Sequence, residues 1–425
     1  MKSEITKITA EEIKDSKETP TIKVTVYAGN VSGSFAVPSG ASTGVHEAHE
    51  LRDTNGQGVK KAIDKVNNII APKLIGQNVL NQKEIDKIMV ELDGTPNKDN
   101  LGGNSIIGVS VTCAKVAAKI SGMETFEYLR TLQLDSGQAQ AEIKPSRRTP
   151  YLFMNLIEGG KHTRNNIAFQ EYIIVPDTEN VQEAVDIGMR MQNTLKEIII
   201  KELNEKSIVL GYEGGFAPEI SDIRKPLELI AKAIKENNLT GKVKIALDVA
   251  ASSFFNEGVY KVDGKNTRPN DRNHSVGQVS KEELMNIYNS LVIEFNLFSI
   301  EDPFDEEDFD SFRKLRENNM NLWVVGDDLT VTNVLLLKKA IEKGSVNAMI
   351  IKPNQIGTLS ETLETMRLAR ENNIELIVSH RGGETDDDFI ADLAYAFGCF
   401  GLKSGSPLKP ERKVKYDRLI KISGK

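Results

Sequence analysis

The chain has 425 residues, 27% of them charged and 39% hydrophobic, the balance of an ordinary globular protein with room for a large core. Its net charge of −7 and the want of basic stripes exclude a general nucleic-acid binder, although an acidic protein can still gather metals or local cations around an anionic substrate. No run approaches the roughly 18 apolar residues of a membrane span. The two cysteines, Cys113 and Cys399, form neither a disulfide framework nor a zinc spacing, and Met1 to Lys14 lacks the apolar segment of a signal peptide, so no membrane and a cytoplasmic, reducing location are expected.

In chain order, Thr21 to Ala28 alternates as a strand, with Ile22, Val24 and Val26 on one face, and Ser34 to Val37 is a second short strand. Gly-Gly then Asn104 reads as a turn and N-cap before a core helix carrying Ile106, Ile107, Val109, Val111 and Ala114 and ending near Gly122. Leu134 to Pro150 turns polar and rich in Gln, Ala and Gly, which places a domain boundary there: an N-terminal α+β domain over 1–135, a linker over 136–150 and a barrel over 151–425. Beyond it, short apolar runs alternate with helices. The runs are Ile245–Asp248, Leu297–Asp302, Leu322–Asp328, Ala348–Lys352, Glu375–His380 and Gly401–Lys403. Ser280 with Glu283, and Thr358 with Glu361, are capping-box patterns, and Asn333 and Gly344 bracket a further helix.

A polar residue stands at or near the end of each run: Asp248, Glu301, Asp327, Lys352, His380 and Lys403. From Glu301 onward they recur at intervals of 26, 25, 28 and 23 positions, about one strand-loop-helix-loop unit each. The 53-residue step from Asp248 to Glu301 holds either two such units or one with a long insertion, and the Gly-, Asn- and Asp-rich stretch Asn256 to Val279 is read as that insertion. In a parallel barrel the strand C-termini open on one face, where active sites are built. A lone acid after a strand is more often a helix N-cap; six polar residues in phase point to one pocket. Three carboxylates without a cysteine or histidine cluster suit Mg²⁺, and the bland alternative, a buried ion network with Lys352 and Lys403, is costly to desolvate. A lysine beside bound cations has its pKa lowered and can act as a general base.

Longer motifs carry a resemblance. VPSGASTGVHEAHELRD (Val37 to Asp53), LGGNSIIGVS, MNLIEGGKH, FQEYIIVP, EGGFAP, IALDVAAS, SIEDP, VVGDDLTVTN, IIKPNQIGTLSETLE, IVSHRGGETDD and LKSGSPLKPERKVKY follow one another through nearly the whole chain. In that order they resemble the enolase family. The resemblance implies an α/β fold, an N-terminal α+β capping domain followed by a modified TIM-type (β/α)8 barrel whose first strands depart from simple alternation. It also implies a helix after the VPSGASTG loop, two Mg²⁺ per active site, 2-phosphoglycerate and phosphoenolpyruvate as substrate and product, and a homo-oligomer, dimer or higher. By position, Asp248, Glu301 and Asp327 would hold the first Mg²⁺ and Ser42 would reach the second. Lys352 would take the C2 proton and Glu213, supported by Glu171, would protonate the leaving hydroxyl. His380, His162, Gln170 and Lys403 would line the substrate, and Arg381 would clamp its phosphate, with the backbone of Gly382 beside it. A lysine base with Mg²⁺ is the known arrangement of the superfamily.

The chain departs from that pattern at five places, one of them a shortened loop after Asp53. Gly382 stands where the family generally has a phosphate-binding serine, Tyr212 where an aspartate precedes the general acid, and Glu158 where an asparagine is usual. DSKETPT (Asp15 to Thr21) replaces DSRGNPT. These changes leave two other readings open: a dehydratase or racemase of the same superfamily on a different carboxylate, and a catalytically inactive homologue.

Overall fold

The computed structural model describes residues 3–40, 44–54, 56–134, 149–163, 165–204, 208–262 and 277–424. Ser42 and nearly all of the expected linker lie outside the described residues.

The chain opens with an antiparallel sheet, β1 (Ile5–Lys14), β2 (Pro20–Ala28) and β3 (Val31–Ala36), in the order β1-β2-β3. The alternation read in β2 is real: Ile22, Val24, Val26 and Ala28 are fully buried. β1 carries no such alternation, because most of its side chains are exposed or half-buried and its place is fixed by backbone pairing to β2. The helix Gly103–Ile120 lies on this sheet. Gly108 makes the approach possible, since a Cβ there would come within 2.6 Å of Val24. Two expectations fail locally. Gly102, not Asn104, is the N-cap, and the Asn104 carboxamide instead accepts from Leu51 N and donates to Leu51 O. Residues 47–53 form no helix; this segment crosses to the barrel, where Glu47 meets Arg381.

The second part is a closed eight-stranded barrel. Its strands are β4 (Tyr151–Glu158), β5 (Glu171–Pro176), β6 (Val243–Asp248), β10 (Leu297–Glu301), β11 (Trp323–Gly326), β12 (Ala348–Ile351), β13 (Glu375–Ser379) and β14 (Gly401–Lys403). A small sheet of β7 (Phe255–Asn256), β8 (Val259–Lys261) and β9 (Gln278–Val279) lies between β6 and β10. Among the described residues the 53-residue step therefore holds one α-helix, Lys281–Phe295, plus an insertion, of which 263–276 lie outside the described residues. From β6 through β14 to β4 every pair is parallel, whereas β5 is antiparallel to both β4 and β6. The first strands thus depart from β/α alternation, and β5 begins, rather than ends, at the mouth.

In the barrel the three helix starts read from the sequence are present. Ser280 and Glu283 make a reciprocal capping box, and Asn333 caps Val334–Lys343, which Gly344 ends in the left-handed region. Thr358 accepts from Glu361 N, while the Glu361 carboxylate binds the Thr358 hydroxyl and Lys98. The barrel floor is aromatic: Phe400 packs against Trp323 (ring centroids 4.8 Å apart), Tyr151 (5.3 Å) and Phe298 (5.8 Å). Lys244 covers that cluster, 4.7 Å from the Tyr151 and Phe298 rings. A floor of this kind leaves only the opposite end of the barrel open for chemistry.

Candidate active site

The parallel strands deliver the predicted residues to that end. Asp248 and Glu301 close β6 and β10 and are paired in register; Asp327, Lys352 and His380 directly follow β11, β12 and β13, and Lys403 closes β14. From the other side come Glu171, the first residue of β5, Gln170 just before it, His162 on the short turn after β4, and Glu213 on a loop. That loop is tacked to the end of β4 by Phe216, which donates to Leu156 O at 2.8 Å and accepts from Glu158 N at 2.8 Å. Apart from Ser42 and Glu301, every predicted site residue lines a single pocket, and Glu301 reaches it through Lys403.

Two lysines organise the acids. Lys403 Nζ donates to Asp248 at 2.8 Å and to both Glu301 oxygens at 2.9 Å, with Glu171 at 3.4 Å. Burial opposes its charge, but Asp248, Glu171, Glu301 and Glu213 outweigh burial and hold its pKa well above the ordinary lysine value. Lys352 Nζ donates to Asp327, and Gln355 donates to the other oxygen of Asp327 at 3.0 Å. Burial also opposes the Lys352 charge, yet Asp327 carries its pKa upward. The protein's own groups therefore do not depress this lysine; a cation drawing the Asp327 oxygens away would be needed for that. The Lys352 backbone is fixed by the Thr332 hydroxyl at 2.9 Å, on a turn where Val331 and Thr332 take φ of 36° and 56°. Such strain in β-branched residues is characteristic of functional sites.

A second cluster surrounds Glu213. The oxygens of Glu213 and Glu171 and a nitrogen of His162 lie within 4.8 Å of one another, and His380 Nε2 is 3.3 Å from Glu213. Burial, then the Glu213 charge, pushes Glu171 well above the usual carboxylate range. Burial would raise Glu213 too, but His380, His162 and Arg412 outweigh it and hold Glu213 well below that range. Of this pair, Glu171 is the one that carries a proton. His380 is pushed down to about 4, first by burial. Its Nδ1 faces Arg412 at 2.6 Å, and a guanidinium only donates, so Nδ1 accepts and the ring proton sits on Nε2, toward Glu213.

Arg381 donates to Glu47 at 2.9 Å and to Asn354 at 3.0 Å. Gly382 lies in the same wall, its carbonyl accepting from Arg412 at 2.9 Å. Three residues that line or support the pocket escaped the sequence reading. Asp302 accepts from Asp327 N (2.9 Å) and Asp328 N (2.8 Å), Asp328 lines the pocket, and Arg412 is fully buried behind His380. The two aspartates adjoin expected ligands in the motifs EDP and GDD, a usable signal; Arg412 sits within a helix and shows none.

The donor set fits a hard divalent cation. Asp302, Asp327 and Asp328 offer carboxylate oxygens within 4.8 Å of one another, and Asp248 and Glu301 converge on the Lys403 ammonium. Gln170 Oε1, Glu171 Oε2 and His162 Nδ1 are buried without a hydrogen-bond partner, the condition of polar groups that await a ligand.

These features define a β/α-barrel enzyme equipped for acid–base chemistry. The enolase N-terminal domain model matches residues 5–129, and the enolase C-terminal TIM barrel domain model matches residues 147–425. The chain is 42% identical to the enolase of Methanocaldococcus jannaschii over 99% of its own length and 95% of that protein. It is 41% identical to the enolase of Thermococcus gammatolerans (99% and 94% covered) and to enolase 1 of Entamoeba histolytica (98% and 95%). The chain belongs to the enolase family and is a lyase. Among the described residues no single helix is long and apolar enough to cross a membrane.

Proposed function

We propose that this chain catalyses the reversible dehydration of 2-phosphoglycerate to phosphoenolpyruvate, in glycolysis and gluconeogenesis, at the barrel mouth. The observation that carries the reading is the separation of two chemistries in one pocket. Lys352 follows β12, while the Glu213–Glu171–His162 cluster gathers around β5, four strands away in either direction round the barrel. An elimination in which one proton leaves C2 and another reaches the C3 hydroxyl needs such a separation.

Lys352 takes the C2 proton. Glu213 takes over the proton that neighbouring Glu171 carries and gives it to the C3 hydroxyl; the C3–O bond breaks, the C2–H electron pair becomes the new double bond, and water leaves. Arg381 binds the phosphate with its planar fork, once released from Glu47, and the backbone of Gly382 adds to that wall. His162, Gln170, His380 and Lys403 hold and orient the substrate. Asp248, Glu301 and Asp327 would hold one Mg²⁺, and Ser42 would reach a second. Bound Mg²⁺ supplies neutralisation of the charge that develops when a proton leaves carbon beside a carboxylate. The division into 1–135, 136–150 and 151–425, a homo-oligomeric state and a cytoplasmic location complete the reading.

The test is to mix purified protein with 2-phosphoglycerate and Mg²⁺ and follow the ultraviolet absorbance of the enol product. Turnover that EDTA abolishes is expected. No turnover at saturating substrate and metal would overturn the assignment.

A further inference from the structure

One carboxylate at the end of β4 has no part in the chemistry above, yet it holds the residue that does. Glu158 has no solvent exposure. Its Oε1 accepts from Gly215 N at 2.6 Å and from Glu213 N at 3.1 Å, and its Oε2 lies 3.3 Å from Glu213 N. The turn from Gly211 to Gly215 is folded onto it so closely that a Cβ at Gly211 would come within 2.0 Å of Oε2, and one at Gly215 within 3.1 Å of Oε1. Further along the turn, Ser406 N donates to Glu213 O at 2.9 Å and Gln192 donates to Gly214 O at 2.8 Å. Tyr212 points the other way, 45% exposed, with Lys17 4.8 Å above its ring.

Burying a carboxylate here is costly. Burial, then the charge of Glu213, pushes Glu158 up to about 8. A neutral amide, the group usual in the family at this position, avoids that cost but has one acceptor oxygen where a carboxylate has two. The family's aspartate before the general acid is Tyr212 in this chain. An acidic group has thus been gained beneath the turn and lost from its outer side.

We propose that Glu158 is a positioning residue for the acid step: by gathering the N–H groups of Glu213 and Gly215 it fixes the Gly211–Gly215 turn so that the Glu213 side chain meets the leaving hydroxyl. This rests on Glu213 being the acid. A misplacement of about 1 Å in such a group costs up to roughly a hundredfold in rate.

The test uses full-length protein with Mg²⁺ and 2-phosphoglycerate, carrying Glu158→Asn or Glu158→Gln. Two rates are read: dehydration, and exchange of the C2 hydrogen with solvent deuterium, which needs Lys352 but not Glu213. Glu158→Asn, too short to reach the turn, is expected to lower kcat about a hundredfold. Glu158→Gln, which keeps the length and one acceptor, should lower it only about tenfold. KM should stay within about twofold in both, and exchange should stay near the unmodified rate. Should Glu158→Asn fail to fold, Glu158→Gln alone carries the comparison. Unchanged kcat in the glutamine variant with kcat also unchanged in any folded asparagine variant, or dehydration and exchange falling together with a raised KM, overturns the proposal. If the unmodified protein shows neither dehydration nor exchange, the enolase reading itself fails, and this proposal with it.

Discussion

The two halves of the barrel mouth are built differently, and the difference decides how each works. From β6 to β14 the barrel strands are parallel, and each brings one expected site residue to its end: Asp248, Glu301 and Lys403 are paired within the sheet, and Asp327, Lys352 and His380 stand one residue beyond it. At β4 and β5 the chain reverses, and the site residues come from a strand start, a short turn and a loop. The regular half holds the expected base and most of the acids on rigid strand ends. The irregular half holds the expected acid on a turn that depends on secondary supports such as Glu158. In one case the sheet supplies most of the rigidity, with Thr332 and Asp302 holding the backbones of Lys352 and Asp327 just beyond it; in the other, side-chain hydrogen bonds supply it.

The sharpest way to break the comparison is to remove one group from each half. Lys352→Ala and Glu213→Gln should each lower kcat by about 10² to 10⁴, but Lys352→Ala should also abolish C2 hydrogen exchange while Glu213→Gln leaves it. Loss of exchange in both would show that the halves do not act separately.

Next comes the floor beneath both halves. Phe400→Ala removes the ring that joins Tyr151, Phe298 and Trp323, and should cost about 3–5 kcal/mol of stability, read from urea unfolding. At 25 °C the folded fraction should keep its kcat, because the floor supports the mouth without touching substrate.

A smaller effect follows from His380. Its pKa is about 4 when folded, against about 6.5 unfolded. The unfolded chain therefore binds the proton first as pH falls, so the stability that His380 contributes is present above pH 6.5 and drains between there and pH 4. The loss should approach about 3 kcal/mol at pH 4. Urea unfolding of the unmodified protein and of His380→Gln across that range checks it; the same slope in both would assign the effect elsewhere.

The mildest change is Gly382→Ser, in the wall between the halves. Restoring a hydroxyl donor to a phosphate should lower KM for 2-phosphoglycerate about tenfold, the worth of one charge-assisted hydrogen bond at about 1.5 kcal/mol. An unchanged KM would mean that Arg381 and the backbone already satisfy the phosphate.

Legibility in the sequence followed the same division. Asp248, Glu301, Asp327, Lys352, His380 and Lys403 could be read from spacing, because a parallel strand ends at the mouth and one strand-helix unit has a nearly constant length. Glu171, Gln170, His162 and Glu213 could not: β5 runs backward, so its mouth residue comes first. Only the longer motifs pointed to them. The Asn104 cap and the helix after Val37 failed because an asparagine carboxamide can bond to a distant backbone as readily as to its own helix, and Leu51 provided that partner. The charged strand β1 carried no alternation to read, since only Ile5 and Ile8 are buried in the core and pairing to β2 places the rest.

By itself, then, the sequence determined the family, the parallel part of the barrel and the residues at its strand ends, because hydrophobic period and unit length are local properties of the chain. Only the tertiary structure decided that Arg412 sets the His380 tautomer, that Glu47 occupies Arg381, that Asp327 raises Lys352, and that Glu158 lies under the acid's turn. Each of these is an interaction between charged or polar groups far apart in sequence, and its strength depends on burial and on distances of a few ångströms, which no local pattern encodes.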